Sequence, residues 1–176
     1  MTILVAALVL VAAVSLLNLV LVLAMARRLR QYADLFDGLR PADVGGSTKP
    51  AGSVVAPFTA VSVDGTQIDE RWFVAPTLVA FLSPGCRPCA ELLPSVVAAT
   101  ARWRTLAVIE PGDEAAEQEY VSALADAATV LTGEQARAAA AAFGVRGYPA
   151  VCVVDANRVV SATGTHLLTV PDPVGV

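Results

Sequence analysis

Charge is missing from the first part of this chain: no Asp, Glu, Lys or Arg occurs before Arg27. Between Ile3 and Ala26 only Ser15 and Asn18 are polar. A helix of about 24 residues rises about 36 Å, enough to cross a hydrocarbon core of about 30 Å with some tilt. A helix apolar on every side would otherwise need protein all around it, and 176 residues leave too little chain for that. A cleaved signal peptide is the alternative, because Ala24-Met25-Ala26 resembles a small-x-small cleavage site. Against it, the run is long and no Lys or Arg precedes it. No cysteine lies near the N-terminus, which argues against a lipid anchor. Histidine is nearly absent too, occurring once as His166, and cysteine occurs three times, as Cys86, Cys89 and Cys152. A closed zinc site takes four ligands and would need all of these, with His166 in an expected loose tail. Copper delivery by two cysteines and one histidine meets the same objection, since no helix or strand aims His166. No metal and no cofactor is expected. A basic patch is also lacking. Net charge is −4, and only Arg27, Arg28 and Arg30 cluster, where they flank the apolar run as an interface anchor. Nucleic-acid binding has no support.

The remainder divides by composition. Residues 1–28 read as a transmembrane anchor. Residues 29–57 read as a juxtamembrane segment, whose apolar side over 29–39 suits a continuation of the helix, followed by a tether rich in Gly, Pro, Ser and Thr. Eighteen tether residues have a typical end-to-end distance of about 25 Å. Residues 58–165 alternate strand and helix signals, and 166–176 read as a loose tail. Phe58–Val63 and Gln67-Ile68 flank Asp64-Gly65, a turn dipeptide of hairpins. Thr77–Leu82 is a continuous apolar run, as in a strand buried on both faces. A helix is expected from Cys86 to about Trp103, then a strand at Leu106–Ile109. A second helix is expected from Asp113, its N-cap, to Ala127, and a short strand at Thr129–Leu131. The third helix runs over Glu134–Phe143, closed by Gly144. Strands at Ala150–Val154 and Val159–Ala162 pair across Asp155–Arg158. The order is a β-hairpin and then β-α-β-α-β-α-β-β, an α/β fold with a mixed central sheet.

Cys86-Arg87-Pro88-Cys89 falls where a buried strand gives way to a helix. The first helical turn has unpaired N–H groups and positive partial charge, which stabilise a thiolate at Cys86, the nucleophilic form. Arg87 adds a positive charge beside it. Cys89, one turn on, is placed to resolve a mixed disulfide formed by Cys86. Cys152, inside the apolar strand Val151–Val154, reads as a small buried hydrophobe. Trp72, Phe73 and Trp103 read as packing residues, and Arg102 and Arg104 as solvated charges at a helix end.

Phe81-Leu82-Ser83-Pro84-Gly85-Cys86-Arg87-Pro88-Cys89, followed by Ala90-Glu91-Leu92-Leu93-Pro94, resembles the active-site strand and helix of the thioredoxin superfamily. Pro88 sits inside the motif, and Pro94 stands where that helix carries its kink proline. Phe143-Gly144-Val145-Arg146-Gly147-Tyr148-Pro149 resembles the approach to the superfamily's cis-proline, about sixty residues further on. The resemblance covers about residues 54–164. It implies a thioredoxin-like fold, a cis bond before Pro149, and a Tyr148 backbone that meets substrate opposite Cys86. With the anchor, tether and hairpin, the chain looks like the TlpA type of membrane-anchored thiol-disulfide oxidoreductase. It is also similar to thioredoxin-like proteins of methylamine dehydrogenase maturation. Three features depart from the pattern. Gly85 replaces the usual aromatic residue before the first cysteine. Ala150 follows the cis-proline position in place of a hydroxyl or acidic residue. No buried carboxylate for proton transfer is identifiable, and Glu91 reads as exposed.

The expected activity is reduction of protein disulfides by Cys86 and Cys89, with protein thiol or disulfide substrates and a separate electron donor as partners. Pro88 implies the reducing side, because oxidases and isomerases of the superfamily tend to carry histidine there. Arg87 argues the other way by stabilising the reduced form. Two rivals remain. One is a thiol peroxidase, with Ser83 as the hydroxyl of a peroxiredoxin motif, although Val79 stands where its proline belongs. The other is a tethered assembly factor without catalysis. The protein is expected in the cell membrane as a single-pass protein. The arginines behind the helix favour a cytoplasmic domain by charge, whereas disulfide chemistry favours an extracytoplasmic one. The latter is the expectation adopted.

Overall fold

A computed structural model describes residues 47–167 and, before them, Ser15. The chain divides into two compact units, residues 1–41 and 42–176, and all that follows concerns the second. The expected membrane helix over residues 3–26, its flanking arginines and most of the expected tail lie outside the described residues. Among the described residues no helix is long and apolar enough to cross a membrane.

The unit is built on a five-stranded sheet. Its strands are β3 (Thr77–Leu82), β4 (Arg104–Ile109), β5 (Thr129–Leu131), β6 (Ala150–Val154) and β7 (Val160–Gly164), in the order β5-β4-β3-β6-β7. β3 runs parallel to β4, and β4 to β5, while β6 lies antiparallel to both β3 and β7. A separate hairpin of β1 (Thr59–Val61) and β2 (Gln67–Asp69) precedes it. Three helices connect the strands: α1 (Arg87–Ala99), α2 (Glu114–Leu124) and α3 (Gly133–Phe143). The expected element order is the observed one.

Strand alternation divides the core in two. Leu78, Ala80 and Leu82 of β3 pack with Leu92 and Val96 of α1 and Tyr120 and Leu124 of α2. Val79 and Phe81 face the other way, towards Phe143 of α3 and Phe58 and Ile68 of the hairpin region. Phe143 is the hub of that second core. Its ring lies 5.2 Å from Phe81 and 6.1 Å from both Phe58 and Phe73, in tilted or edge-on contact. Such pairs add about 0.5–1.5 kcal/mol to simple burial.

Several boundaries differ from expectation. α2 ends at Leu124 and not at Ala127, where the N–H groups of Ala127 and Ala128 both close on Leu124 O at 3.0 and 2.8 Å. β7 spans Val160–Gly164 and not Val159–Ala162, because Val159 O accepts Asp155 N–H in the turn. The helix expected to reach Trp103 stops at Ala99. The Thr100 hydroxyl donates to Val97 O at 2.7 Å, and the N–H groups of Arg102 and Trp103 both close on Ala99 O at 2.9 Å. Trp103 is buried in the α1–α2 core, and Arg104 already pairs with Thr77 across the sheet. Arg104 is therefore a strand residue, and its guanidinium lies 3.7 Å from the Trp72 ring centroid rather than free at a helix end. The hairpin strands are shorter than expected at β1, because Ser62–Thr66 forms the turn with a Ser62 N–H to Thr66 O bond of 2.9 Å. At the end of the expected tether, Ser47, Lys49, Gly52, Ser53, Val55 and Ala56 make backbone bonds to the domain, and Thr48 and Val55 are buried.

Candidate active site

β3 ends at Leu82, and four residues carry the chain to α1. Gly85 takes φ +80° in that turn, a left-handed conformation that a side chain strains. This is the physical reason for glycine before the first cysteine. Cys86 is the N-cap residue of α1, and its carbonyl accepts the first helical bond, from Ala90 N–H at 3.1 Å. Its side chain stands at the positive end of the helix. Pro88 lies in the first turn, where a missing N–H costs nothing. Pro94 lies within α1, as the motif implied.

The two thiols of the motif differ sharply. Cys86 is partly exposed, whereas Cys89 is fully buried in the α1–α2 core. Burial, and then a hydrogen bond with Cys86, pushes the Cys89 thiol up to about 12. The Ser83 N–H, 3.4 Å from Cys89 Sγ, works against that rise, and the negative charges of Cys86 and Glu110 add to it. Across from the pair, the Tyr148–Pro149 bond is cis. Cys86 Sγ lies 4.0 Å from the Tyr148 carbonyl oxygen. The structure thus brings together Cys86, Cys89, Tyr148 and Pro149.

Arg87 behaves otherwise than expected. Its Nε donates to Glu91 Oε1 at 2.9 Å, an i,i+4 pair on the solvent side of α1 with side chains 85% and 66% exposed. Its charge is shared with a carboxylate instead of being directed at Cys86, and such a pair contributes only a few tenths of a kcal/mol. Cys152 lies fully buried with Val79 and Phe143, on the opposite side of the sheet from Cys89. Burial pushes its thiol well above the ordinary range. It is a core residue.

Two residues near the dithiol were not singled out from sequence. Glu110 directly follows β4, and its N–H donates to Leu82 O at 2.8 Å. Parallel strands bring their carboxyl ends to one edge, so a polar residue just past β4 necessarily arrives beside the end of β3. That register was the available signal. Glu110's charge acts on Cys89 and on Tyr148, whose hydroxyl is pushed up by burial first and by Glu110 second. Tyr120 of α2 is the other. It is buried in the same core as Cys89, and its hydroxyl has no hydrogen-bond partner. Burial, then the charges of Cys89 and Cys86, pushes that hydroxyl up.

No family model and no curated protein matches the chain. Solved structures do. A thio-disulfide isomerase from Thermus thermophilus superposes with a TM-score of 0.57 at 22% identity, over 67% of this chain and 87% of that one. The thioredoxin domain of a thiol-disulfide oxidoreductase from Bacteroides vulgatus gives 0.52 at 17% identity, over 66% and 89%. A DsbE-type thiol:disulfide interchange protein from Chlorobium tepidum, described as putative, gives 0.52 at 16%, over 65% and 84%. The fold is thioredoxin-like. At these identities the likeness carries the fold alone. The thioredoxin-like domain nevertheless sets its own dithiol and cis-proline in the arrangement that the sequence motifs implied.

Proposed function

We propose that the protein is a thiol-disulfide oxidoreductase that reduces protein disulfides through Cys86 and Cys89, tethered to the cell membrane by residues 3–26 with its domain on the extracytoplasmic side. The observation that carries this reading is the pairing of a partly exposed Cys86 with a buried Cys89 at a helix N-terminus, 4.0 Å from the Tyr148 carbonyl. In the cycle, the Cys86 thiolate attacks one sulfur of the substrate disulfide, and the other leaves as a thiolate. Cys89 then loses its proton and attacks Cys86 Sγ. The second substrate sulfur departs as a thiolate, and protons from the dithiol leave both substrate sulfurs as thiols. The substrate gains two electrons, and the protein is left with a Cys86–Cys89 disulfide. A separate dithiol donor must reduce it again. The Tyr148 carbonyl is placed to accept an N–H from a substrate segment lying against the cis-proline.

The reducing direction rests on Pro88 within the motif, as the resemblance implies. A Cys89 sulfur held up at about 12 keeps its proton near neutral pH and leaves slowly when its disulfide is attacked. The Arg87–Glu91 pair weakens the one feature that argued for an oxidant. The outward placement rests on disulfide chemistry being at home there.

The test is reduction of insulin by the full chain with a dithiol donor. Wild type is expected to turn over, Cys86→Ser to be inactive, and Cys89→Ser to accumulate a mixed disulfide through Cys86. A midpoint potential below about −230 mV is expected. Full activity in the Cys86→Ser/Cys89→Ser double variant would overturn the reading.

A further inference from the structure

The last four carbonyls of a helix lack intrahelical partners, and at α3 each of the four can be followed to its donor. Val145 N–H bonds Ala140 O at 2.9 Å and Gly144 N–H bonds Ala141 O at 3.1 Å. With Gly144 at φ +62° this is a Schellman closure. Ala142 O and Phe143 O take their donors from far away in sequence. Ala56 N–H reaches the first at 3.3 Å, and Lys49 N–H the second at 2.9 Å. The same segment returns a bond to the next loop, for Arg146 N–H donates to Ser47 O at 2.8 Å. Between these two anchor points Thr48 is buried, its hydroxyl 2.7 Å from that of Thr163 on β7. Lys49 Cγ would lie 3.3 Å from a Cβ placed on Gly144, so the Lys49 side chain covers the glycine that closes α3. Residues 47–49 therefore bridge the end of α3, the loop 144–147 and β7.

That loop ends at Tyr148. Only Gly147 separates Arg146, held by Ser47, from the residue whose carbonyl faces Cys86. We propose that residues 47–49 form a clamp on the cis-proline loop, so that the end of the segment leading into the domain fixes where the Tyr148 carbonyl meets a peptide substrate. This rests on the reading of Tyr148 as the substrate's backbone partner. Residues 47–49 are positioning residues: they touch neither the thiols nor the substrate. The clamp acts on substrates that bind as a peptide strand. It does not act on a small disulfide that needs only the Cys86 sulfur.

The experiment uses the full chain with residues 47–49 deleted, and separately with Thr48→Val, which keeps shape and removes one hydroxyl contact. Two substrates are compared, a peptide containing a disulfide and hydroxyethyl disulfide. The deletion is expected to lower kcat/KM for the peptide by at least about tenfold, through KM, because it removes the two backbone bonds of Ser47 and Lys49 together with the Thr48–Thr163 contact. Thr48→Val is expected to lower it by about threefold. Hydroxyethyl disulfide should react at an unchanged rate, the midpoint potential should stay the same, and the Arg146 amide should exchange faster with solvent. Unchanged peptide kinetics, or equal slowing of both substrates, overturns the clamp. Should the deletion variant not fold, Thr48→Val decides the matter. Should wild type reduce neither substrate, the proposed activity falls, and Arg146 exchange in the variants still decides whether the clamp exists.

Discussion

Each side of the central sheet buries one cysteine completely, Cys89 on the side of α1 and α2, and Cys152 on the side of α3. Burial pushes both thiols up. What separates them is company. Cys89 has Cys86 as a hydrogen-bond partner, the Ser83 N–H at 3.4 Å and the charge of Glu110 nearby. Cys152 has only desolvation acting on it, among Val79, Phe143 and other apolar residues. The comparison teaches that the same burial has different consequences in different company: Cys152 is left with desolvation alone, while Cys89 has a neighbouring thiol at a helix start. Aromatic packing holds one side of the sheet, and the cysteine pair lies on the other.

The sharpest way to break that division is to damage the aromatic side and watch the dithiol. Phe143→Ala removes the hub of three ring contacts and is expected to cost about 3–5 kcal/mol of stability, measured by urea unfolding. Under native conditions the midpoint potential of the surviving folded protein should not move. A large change in potential would mean that the sides are not independent.

Raising the pH tests the dithiol side. The folded state holds the Cys89 proton up to about 12, whereas an unfolded cysteine titrates near about 8.5. The folded chain then binds the proton that the unfolded chain releases, so stability from this group is full below about pH 8.5 and is lost as pH rises toward about 12. Reduced wild type should lose its urea midpoint more steeply between about pH 8.5 and 11 than Cys89→Ala does. Parallel slopes would remove the assigned Cys89 environment.

Tyr120→Phe is the smallest change. It deletes a buried hydroxyl without a partner and keeps the ring in the core. Relief of that desolvation should leave stability unchanged or raise it by up to about 1 kcal/mol. A loss above about 1 kcal/mol would show that the hydroxyl makes a stabilising bond.

Much of this arrangement is legible in the amino-acid order, and the reasons are local. Leu78–Leu82 and Ala150–Val154 are apolar without interruption, and the strands coincide with them to within one residue. Asp113 and Gly144 cap their helices as read, because a carboxylate accepting Ala116 N–H and a glycine in the left-handed region are short-range devices. The cis bond before Pro149 came from a motif rather than from any local preference. What escaped depends on distant partners. Residues 47–56 have the composition of a linker, and only α3's orphan carbonyls and β7 convert them into part of the domain. Glu110 becomes a neighbour of Cys89 only through the parallel register of β3 and β4. Arg87 was read for its charge beside Cys86, whereas Glu91 one turn on engages it, a pairing that the i,i+4 spacing already contained.

The most direct test of the central claim is a redox titration of the full chain against glutathione buffers, with each thiol counted by alkylation and mass mapping. The account predicts that Cys86 and Cys89 become protected together, as one disulfide with a single low midpoint, and that Cys152 stays a thiol until the chain unfolds. A disulfide that includes Cys152, or a Cys86 and Cys89 that never pair, would contradict it.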